Sequence, residues 1–370
     1  MNNQDNLLYQ IALTKIKGVG VALAKTLMQT IGDERAIFKE SRNSLRKIPR
    51  ISPQIVDAIN SASLIQSAED ELDFVVKNNL RALFFMDEDY PQRLTHCVDA
   101  PVLLYAKGDT DFNRTKVVSI VGTRNASRYG LQVCEKLIED LAVSHPDIQI
   151  ASGLAYGVDI CAHRAALQNN MSTVAVLAHG LDRIYPFVHR QTAIDMIENG
   201  ALLTEFPSGT NPDRHNFVRR NRIVAGMADA VIVVESGIKG GSLITAEIAN
   251  SYFREVFAVP GRVTDTYAIG ANKLIADNKA ILLQDANSLL KHMGWEEEKS
   301  LSKPIQKELF VNLSEDEEKV FTALSSGETK QVNMLSIELD IPVSELFFTL
   351  LELEMKDIVL ALPGGMYKLA

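Results

Sequence analysis

KVVSIVGTRNASRYGLQVCEKLIEDLAV, residues 116–143, is a run of β-branched and aliphatic residues that stops at Gly122 and passes into a helical pattern. A strand that is apolar at almost every position has no solvent face, so both sides of it must be covered. The segment after it places Leu131, Cys134, Leu137, Ile138 and Leu141 on one helical stripe. Strand, turn and amphipathic helix form the unit of a parallel sheet clad in helices. The unit recurs. IQIASG, TVAVLAHG, ALLTEF, AVIVVES, EVFAVPG and AILLQD are further strand runs between residues 81 and 295, and CAHRAALQN, HRQTAIDMIEN, SLITAEIANSYF and GANKLIADN are the intervening helical segments. The fold class is α/β, a Rossmann-like doubly wound, mostly parallel sheet. Such sheets bind ligands beyond the carboxyl ends of their strands.

Outward from this core the pattern changes. Residues 1–80 read as helices alone, with 3.6-residue spacing in LLYQIALTKI, VALAKTLMQTI and SLIQSAEDELDFVVK. The turn Gly18-Val19-Gly20 between the first two suits a SAM-like or helix-hairpin-helix-like domain whose backbone amides meet phosphates. A tight turn inside a helical bundle is an equal reading, and LRKIPRISPQIVDAI is a candidate second copy. Residues 296–313 are charged and polar and read as a linker. Residues 314–370 give three helices and then IVLALPGGMYKLA, two strands about Pro363-Gly364-Gly365, the order of a winged helix. Its third helix, Val343 to Met355, carries Glu345, Glu352 and Glu354 and no Lys or Arg, which favours a protein contact over a DNA contact.

Composition narrows the class. Of the 370 residues 46% are apolar and 23% charged, as in globular proteins. No apolar run nears the ~20 residues of a membrane helix, and MNNQDNLLYQ is no signal peptide. Three scattered cysteines, Cys97, Cys134 and Cys161, argue for a reducing compartment, so a cytoplasmic location is expected. The formal charge of −9 is unevenly spread: from Glu296 onward there are 15 acidic and 7 basic residues, whereas residues 1–60 hold 9 basic against 5 acidic. A local basic groove is compatible with the total.

Five stretches carry candidate chemistry. In the first, Gly122 ends the strand, Thr123, Asn125 and Ser127 offer polar groups, and Arg124 and Arg128 add charge. Without the second glycine of G-x-G-x-x-G this is not a dinucleotide turn, but a helix start with two guanidinium forks suits a phosphate. In the next two, Asp159 is placed to cap or brace the following helix, and His163, His179 and Asp182 take structural roles. No zinc spacing is present and no metal or other cofactor is expected. DRHNFVRRNRIVAG puts Arg214, Arg219, Arg220 and Arg222, with Asn216 and Asn221, around Phe217, ahead of a helix expected over RRNRIVAGMA. Arginines for phosphates beside a ring for bases is the composition of a single-strand site. Finally Lys239, Gly240, Gly241 and Ser242 lie between strand and helix, with Ser242 a candidate cap. The G-K-[ST] of a P-loop is missing.

Taken in order, VVSIVGTRNASRYG, SGLAYGVDICAHRAAL, AVLAHGLDRIYP, GALLTEFPSGTNP, FVRRNRIVAG, GGSLITAEIA and REVFAVPGRV resemble the successive blocks of the DNA-processing protein A (DprA/Smf) family, closely over roughly residues 85–290. DEDYPQRL and DAPVLLYAKGD precede them in the same way. The resemblance implies a dimer that binds single-stranded DNA in a basic pocket, protects it, and helps load RecA onto DNA taken up in natural transformation. By matching position it implies DNA contacts from Gly122, Thr123, Arg124, Phe217, Arg220, Asn221, Arg222, Gly241 and Ser242; Arg128 joins them on the charge of its turn. Tyr156, Val218 and Gly240 depart from the family pattern, which more often has arginine, proline and serine there.

Two functions of different class follow. One is a non-catalytic single-strand binder, with no membrane partner and an acidic C-terminal module that could recruit proteins. The other is a nucleotide-processing enzyme of phosphoribohydrolase type, for which Glu205, Asp182 and Glu247 would be the acid–base candidates.

Overall fold

A computed structural model describes residues 3–296, 313–325, 327, 329–356 and 358–370. The linker expectation, 296–313, therefore lies almost wholly outside the described residues. The chain forms two compact units, one of residues 1–252 and 256–282, the other of residues 253–255 and 283–370.

The first unit opens with helices: α1 (Asn3–Lys15), α2 (Val21–Ile31), α3 (Glu34–Lys39), α4 (Arg42–Leu45), α5 (Pro53–Ile59) and α6 (Ala62–Lys77). Gly18, between α1 and α2, has φ +94°, a conformation that glycine alone adopts without strain. Asp33, Ser41 and Ser52 cap α3, α4 and α5 by accepting from backbone amides in the first turn. These helices share one buried cluster with the sheet, through Ile11, Leu27, Val56 and Val75 among others. On α6 the buried Glu71 carboxylate accepts from the Ser208 amide at 2.9 Å and from its hydroxyl at 2.7 Å.

The sheet has nine strands: β1 (Arg81–Phe84), β2 (Leu103–Lys107), β3 (Val117–Val121), β4 (Gln149–Ser152), β5 (Thr173–Val176), β6 (Gly200–Thr204), β7 (Ala230–Val233), β8 (Glu255–Ala258) and β9 (Ile281–Leu282), in the spatial order β1-β2-β6-β5-β4-β3-β7-β8-β9. All seven expected strand runs are present. The pairs β3–β4, β4–β5, β5–β6, β3–β7 and β8–β9 are parallel, while β1 and β2 add an antiparallel edge. No long helical pattern follows either strand in the βα rhythm, so periodicity did not single them out. Every residue of β3 to β7 is buried, as a doubly covered sheet requires.

Between the strands lie α7 (Gln92–Thr95), α8 (Arg128–Ser144), α9 (Val158–Gln168), α10 (Arg190–Glu198), α11 (Arg214–Gly226), α12 (Gly241–Ser251) and α13 (Ile269–Ala276). The chain builds outward from β3 in one direction through β4, β5 and β6, then returns to β3's other side at β7. With right-handed crossovers, α8 and α12 must cover opposite faces. The loops after β3 and β7 therefore diverge and leave a crevice at the carboxyl ends of these two neighbours.

The second unit carries α14 (Ala286–His292), α15 (Glu315–Leu324), α16 (Val332–Leu339), α17 (Val343–Met355), and a small sheet of β10 (Lys330–Gln331), β11 (Val359–Leu362) and β12 (Met366–Leu369). Val320, Leu324, Leu335, Leu346, Leu350 and Leu353 close its core. The hairpin turns at Gly364 and Gly365, both at positive φ, and its strands pair antiparallel. This is the winged-helix arrangement the sequence pattern predicted. On α17 the three glutamates are exposed, as are Phe348 and Met355. Among the described residues no helix is long and apolar enough to cross a membrane.

Candidate functional site

The crevice at the β3/β7 switch is a cavity of about 690 Å³. The turn after β3 supplies Gly122, Thr123 and Arg124; α11 supplies Arg214, Phe217, Arg220 and Asn221; the turn after β7 supplies Lys239, Gly241 and Ser242. Three segments, drawn from residues 122–124, 214–221 and 239–242, thus meet in one mouth. Eight of the ten expected site residues line it. Arg128 and Arg222 do not.

The first turn is built to approach closely. A Cβ on Gly122 would overlap Val158, and one on Gly157, at φ +74°, would overlap the Thr123 carbonyl. Glu235, buried at the end of β7, accepts from the Ser127 amide at 2.8 Å and from its hydroxyl at 2.5 Å. Ser127 in turn caps α8 through the Gly130 amide. The turn is therefore anchored from below while Arg124 stays exposed above it. Arg124 forms no ion pair with a described residue; its guanidinium lies over the Phe217 ring at 5.0 Å, a cation–π contact. Arg128 points from the exposed first turn of α8.

The arginine block sits differently from the expectation. The helix starts at Arg214, capped by Asp213 accepting from the Asn216 amide at 2.9 Å, so the arginines lie within α11 and not ahead of it. Asp213, directly after Pro212, is a favoured N-cap residue, and its start signal outweighs the polar composition that suggested a loop. Helical spacing then sorts the block by face. Arg214, Phe217, Val218 and Asn221 share the face toward the cavity. Arg219 and Arg222 turn to the other side, where both meet the Glu205 carboxylate, at 3.1 and 2.5 Å; Arg222 also donates to the Asp99 carbonyl.

Arg220 is buried beneath the cavity floor. Its guanidinium donates to the Gly153 carbonyl at 2.6 Å, to the Val176 carbonyl, and to the Asn221 side chain at 3.2 Å. It seals the carboxyl ends of β4 and β5. Gly153 is glycine because a Cβ there would overlap that guanidinium. Asp159, buried in α9, is a counter-charge to it; burial pushes its carboxyl above the ordinary range, with Arg220 pulling it back. Asp159 lines the cavity and accepts from the Ala155 amide, so it braces the preceding turn; the helix cap is Gly157.

At the third turn, α12 begins at Gly241 with Gly240 as a cap that has no side chain to offer. The first-turn amides of such a helix lack intrahelical acceptors and suit an anion. Nothing stands within 4 Å of a Cβ at Gly241, so that approach is open. Ser242 is not the cap: it is buried one residue inside the helix and donates to the Ser236 hydroxyl at 2.8 Å. Lys239 and Arg214 are exposed on the cavity rim. Both stand in stretches singled out by charge, yet neither position belonged to the motif pattern, and only the folded geometry gives them a place at the site.

The remaining candidates disperse. His163 is fully buried, with Nδ1 2.8 Å from the Thr173 hydroxyl. That hydroxyl donates its one hydrogen to the Ile150 carbonyl, so it accepts from His163 Nδ1–H. His179 Nδ1 donates to the Gly180 carbonyl. Asp182 accepts from the Gly209 amide and Arg183. Glu205 is held by arginines, and Glu247 is an exposed partner of Lys279. None of the three carboxylates weighed as acid–base groups lines the cavity. Among the described residues no cluster of His, Cys, Asp or Glu could hold a metal ion.

Comparisons with known proteins agree with this architecture. A family model described as DNA recombination-mediator protein A matches residues 81–294, and one described as the DprA winged helix domain matches residues 310–365. Protein Smf of Escherichia coli (strain K12) is 34% identical over 312 residues, spanning 82% of this chain and 81% of that protein. DNA processing protein DprA of Streptococcus pneumoniae is 41% identical over 198 residues, 53% of this chain and 69% of that one. The X-ray structure of DNA processing protein A from Streptococcus pneumoniae superposes with a TM-score of 0.62 at 28% identity, covering 79% of this chain and 98% of that one. A structure of DNA processing protein A from Helicobacter pylori, described for its unique single-stranded DNA binding mode, gives 0.52 at 31% identity over 57% of this chain and 96% of that one.

Proposed function

The chain belongs to the DNA recombination-mediator protein A family, and from that premise we propose that it binds single-stranded DNA in the β3/β7 cavity, without catalysing a reaction on it, and hands the bound strand to a RecA-type recombinase. The observation that carries this reading is the meeting of exposed cations, a helix N-terminus and an aromatic ring in one mouth at the switch point. A strand offers alternating anions and π faces, and this mouth offers the complement of both. Arg124, Arg214 and Lys239 take phosphates, joined by the open amides of Gly241 and Ser242. Phe217 faces a base. Arg220, buried and bonded to two strand-end carbonyls, shapes the floor. In this reading the protein acts as a homodimer in the cytoplasm, shielding DNA that enters during transformation.

The test is fluorescence anisotropy of the purified protein with labelled oligo-dT and its duplex over a salt series. Binding that prefers the single strand and weakens with salt, at a slope near −0.7 per phosphate neutralised, supports the reading. Binding indifferent to strandedness removes it. Addition of RecA to protein-bound oligo-dT, followed by filament formation, then tests the hand-over: faster nucleation than on naked strand is expected.

A further inference from the structure

Beside the cavity the surface is aromatic. The Phe217 ring, which lines the mouth, lies 6.0 Å from the ring of Tyr185, and Tyr185 is 44% exposed. Tyr156 follows Ala155, itself a wall residue of the cavity, and is 48% exposed. Its ring packs edge-on against His189 at 5.0 Å, and His189 Nδ1 donates to the Leu154 carbonyl at 2.8 Å. The loops that bear the two tyrosines are thereby fastened to one another. Phe187, in the same short 3₁₀ turn as His189 (Phe187–His189), is 76% exposed. Neighbouring rings left in water on fixed loops are costly unless something covers them.

Resting on the reading that the cavity takes the backbone of a single strand, we propose that Tyr185 and Tyr156 continue the Phe217 surface as a ledge on which unpaired bases adjacent to the held phosphates stack. Continuity decides the occupant. The ledge begins at a ring already covered by the Arg124 guanidinium, so whatever lies on it must also present anions to Arg124, Arg214 and Lys239. An unpaired strand does so at every residue, and an apolar peptide does not. The ledge is thus a site of base-dependent affinity, tolerant of base identity because every base has a π face.

The experiment compares oligo-dT with an abasic strand of equal length and label, using wild type, Tyr185→Ala, Tyr156→Ala and the corresponding Phe variants. Wild type is expected to prefer oligo-dT. Each Ala variant is expected to lose roughly 5- to 100-fold in affinity for oligo-dT, with abasic-strand affinity and salt slope unchanged, and each Phe variant to bind as wild type. Ala variants that bind oligo-dT normally would overturn the ledge, as would an equal loss on both strands, which would mean the rings only shape the loops. A changed oligomeric state in light scattering, with base preference intact, would assign the surface to a second copy and equally refute it. Wild type that binds neither strand would instead remove the cavity reading, and the ledge with it.

Discussion

Arg124 and Arg220 bring the same charge to the same cavity from opposite surroundings. Arg124 is solvated and stacked on Phe217; Arg220 is buried and bonded to two strand-end carbonyls, with Asp159 as its counter-charge. Arg220→Met should therefore unfold at lower urea, by about 3–5 kcal/mol, because Asp159 and two carbonyls lose their partner. Arg124→Ala should leave the urea midpoint in place and weaken binding to single strands of every base sequence alike. An Arg220→Met protein as stable as wild type would contradict the burial argument. The sequence showed four arginines in nine residues, and their charge was legible; which of them could reach a ligand was not, because that depends on the helix face and on what lies across it.

The same scale holds a proton effect. Burial, with Arg220 and His189 nearby, lowers the His163 imidazole to about 3. Above pH ~6.5 folded and unfolded chains are both neutral there. Below it the unfolded chain takes up a proton that the folded chain refuses, so stability falls progressively as pH drops from ~6.5 toward 3. His179 and His189, also lowered by burial, act in the same direction. Thermal unfolding at pH 7.5 and pH 5 should show the loss, and His163→Gln should flatten part of that slope. Equal slopes for the variant and wild type would locate the dependence elsewhere.

Among the elements, α11 decides the site. Its start at Arg214 sets Arg214, Phe217 and Asn221 on one face and gives Arg219 and Arg222 to Glu205. Asp213 fixes that start, so Asp213→Ala should cost about 1 kcal/mol of stability and should lower oligo-dT affinity through fraying of the turn that carries Arg214. Circular dichroism melts and anisotropy on one preparation would read both; a stability loss with unchanged affinity would detach the cap from the site. The parallel strands were legible because burial on two faces leaves few polar residues to confuse the pattern. The start of α11 was not, since arginine and asparagine suit a loop as well as the first turn of a helix.

For the whole molecule, the order of strands places the site before any side chain is considered. A sheet that builds outward from β3 in two directions must open at β3 and β7; the alternation of strand and helix pointed to a doubly covered parallel sheet with its ligand edge at the strands' carboxyl ends, but not to the strand order that puts the opening there. The acidic α17, without a single Lys or Arg, has little to offer a phosphate. Removing residues 297–370 should therefore leave oligo-dT affinity within about 2-fold, inside the spread expected where no phosphate contact is lost. A larger drop in the salt series would bring the winged helix into the DNA contact.

One feature of the first unit bears on its integrity. The helices of residues 3–77 bury their apolar stripe in the same core as the sheet, and Glu71 holds Ser208 through amide and hydroxyl. The peptide bonds between α6 and β1 are thus the least of what joins them. A chain nicked by protease between residues 77 and 81 should still elute as one particle on a sizing column and part into two fragments only in denaturant. A backbone break there is a covalent event without a mechanical consequence.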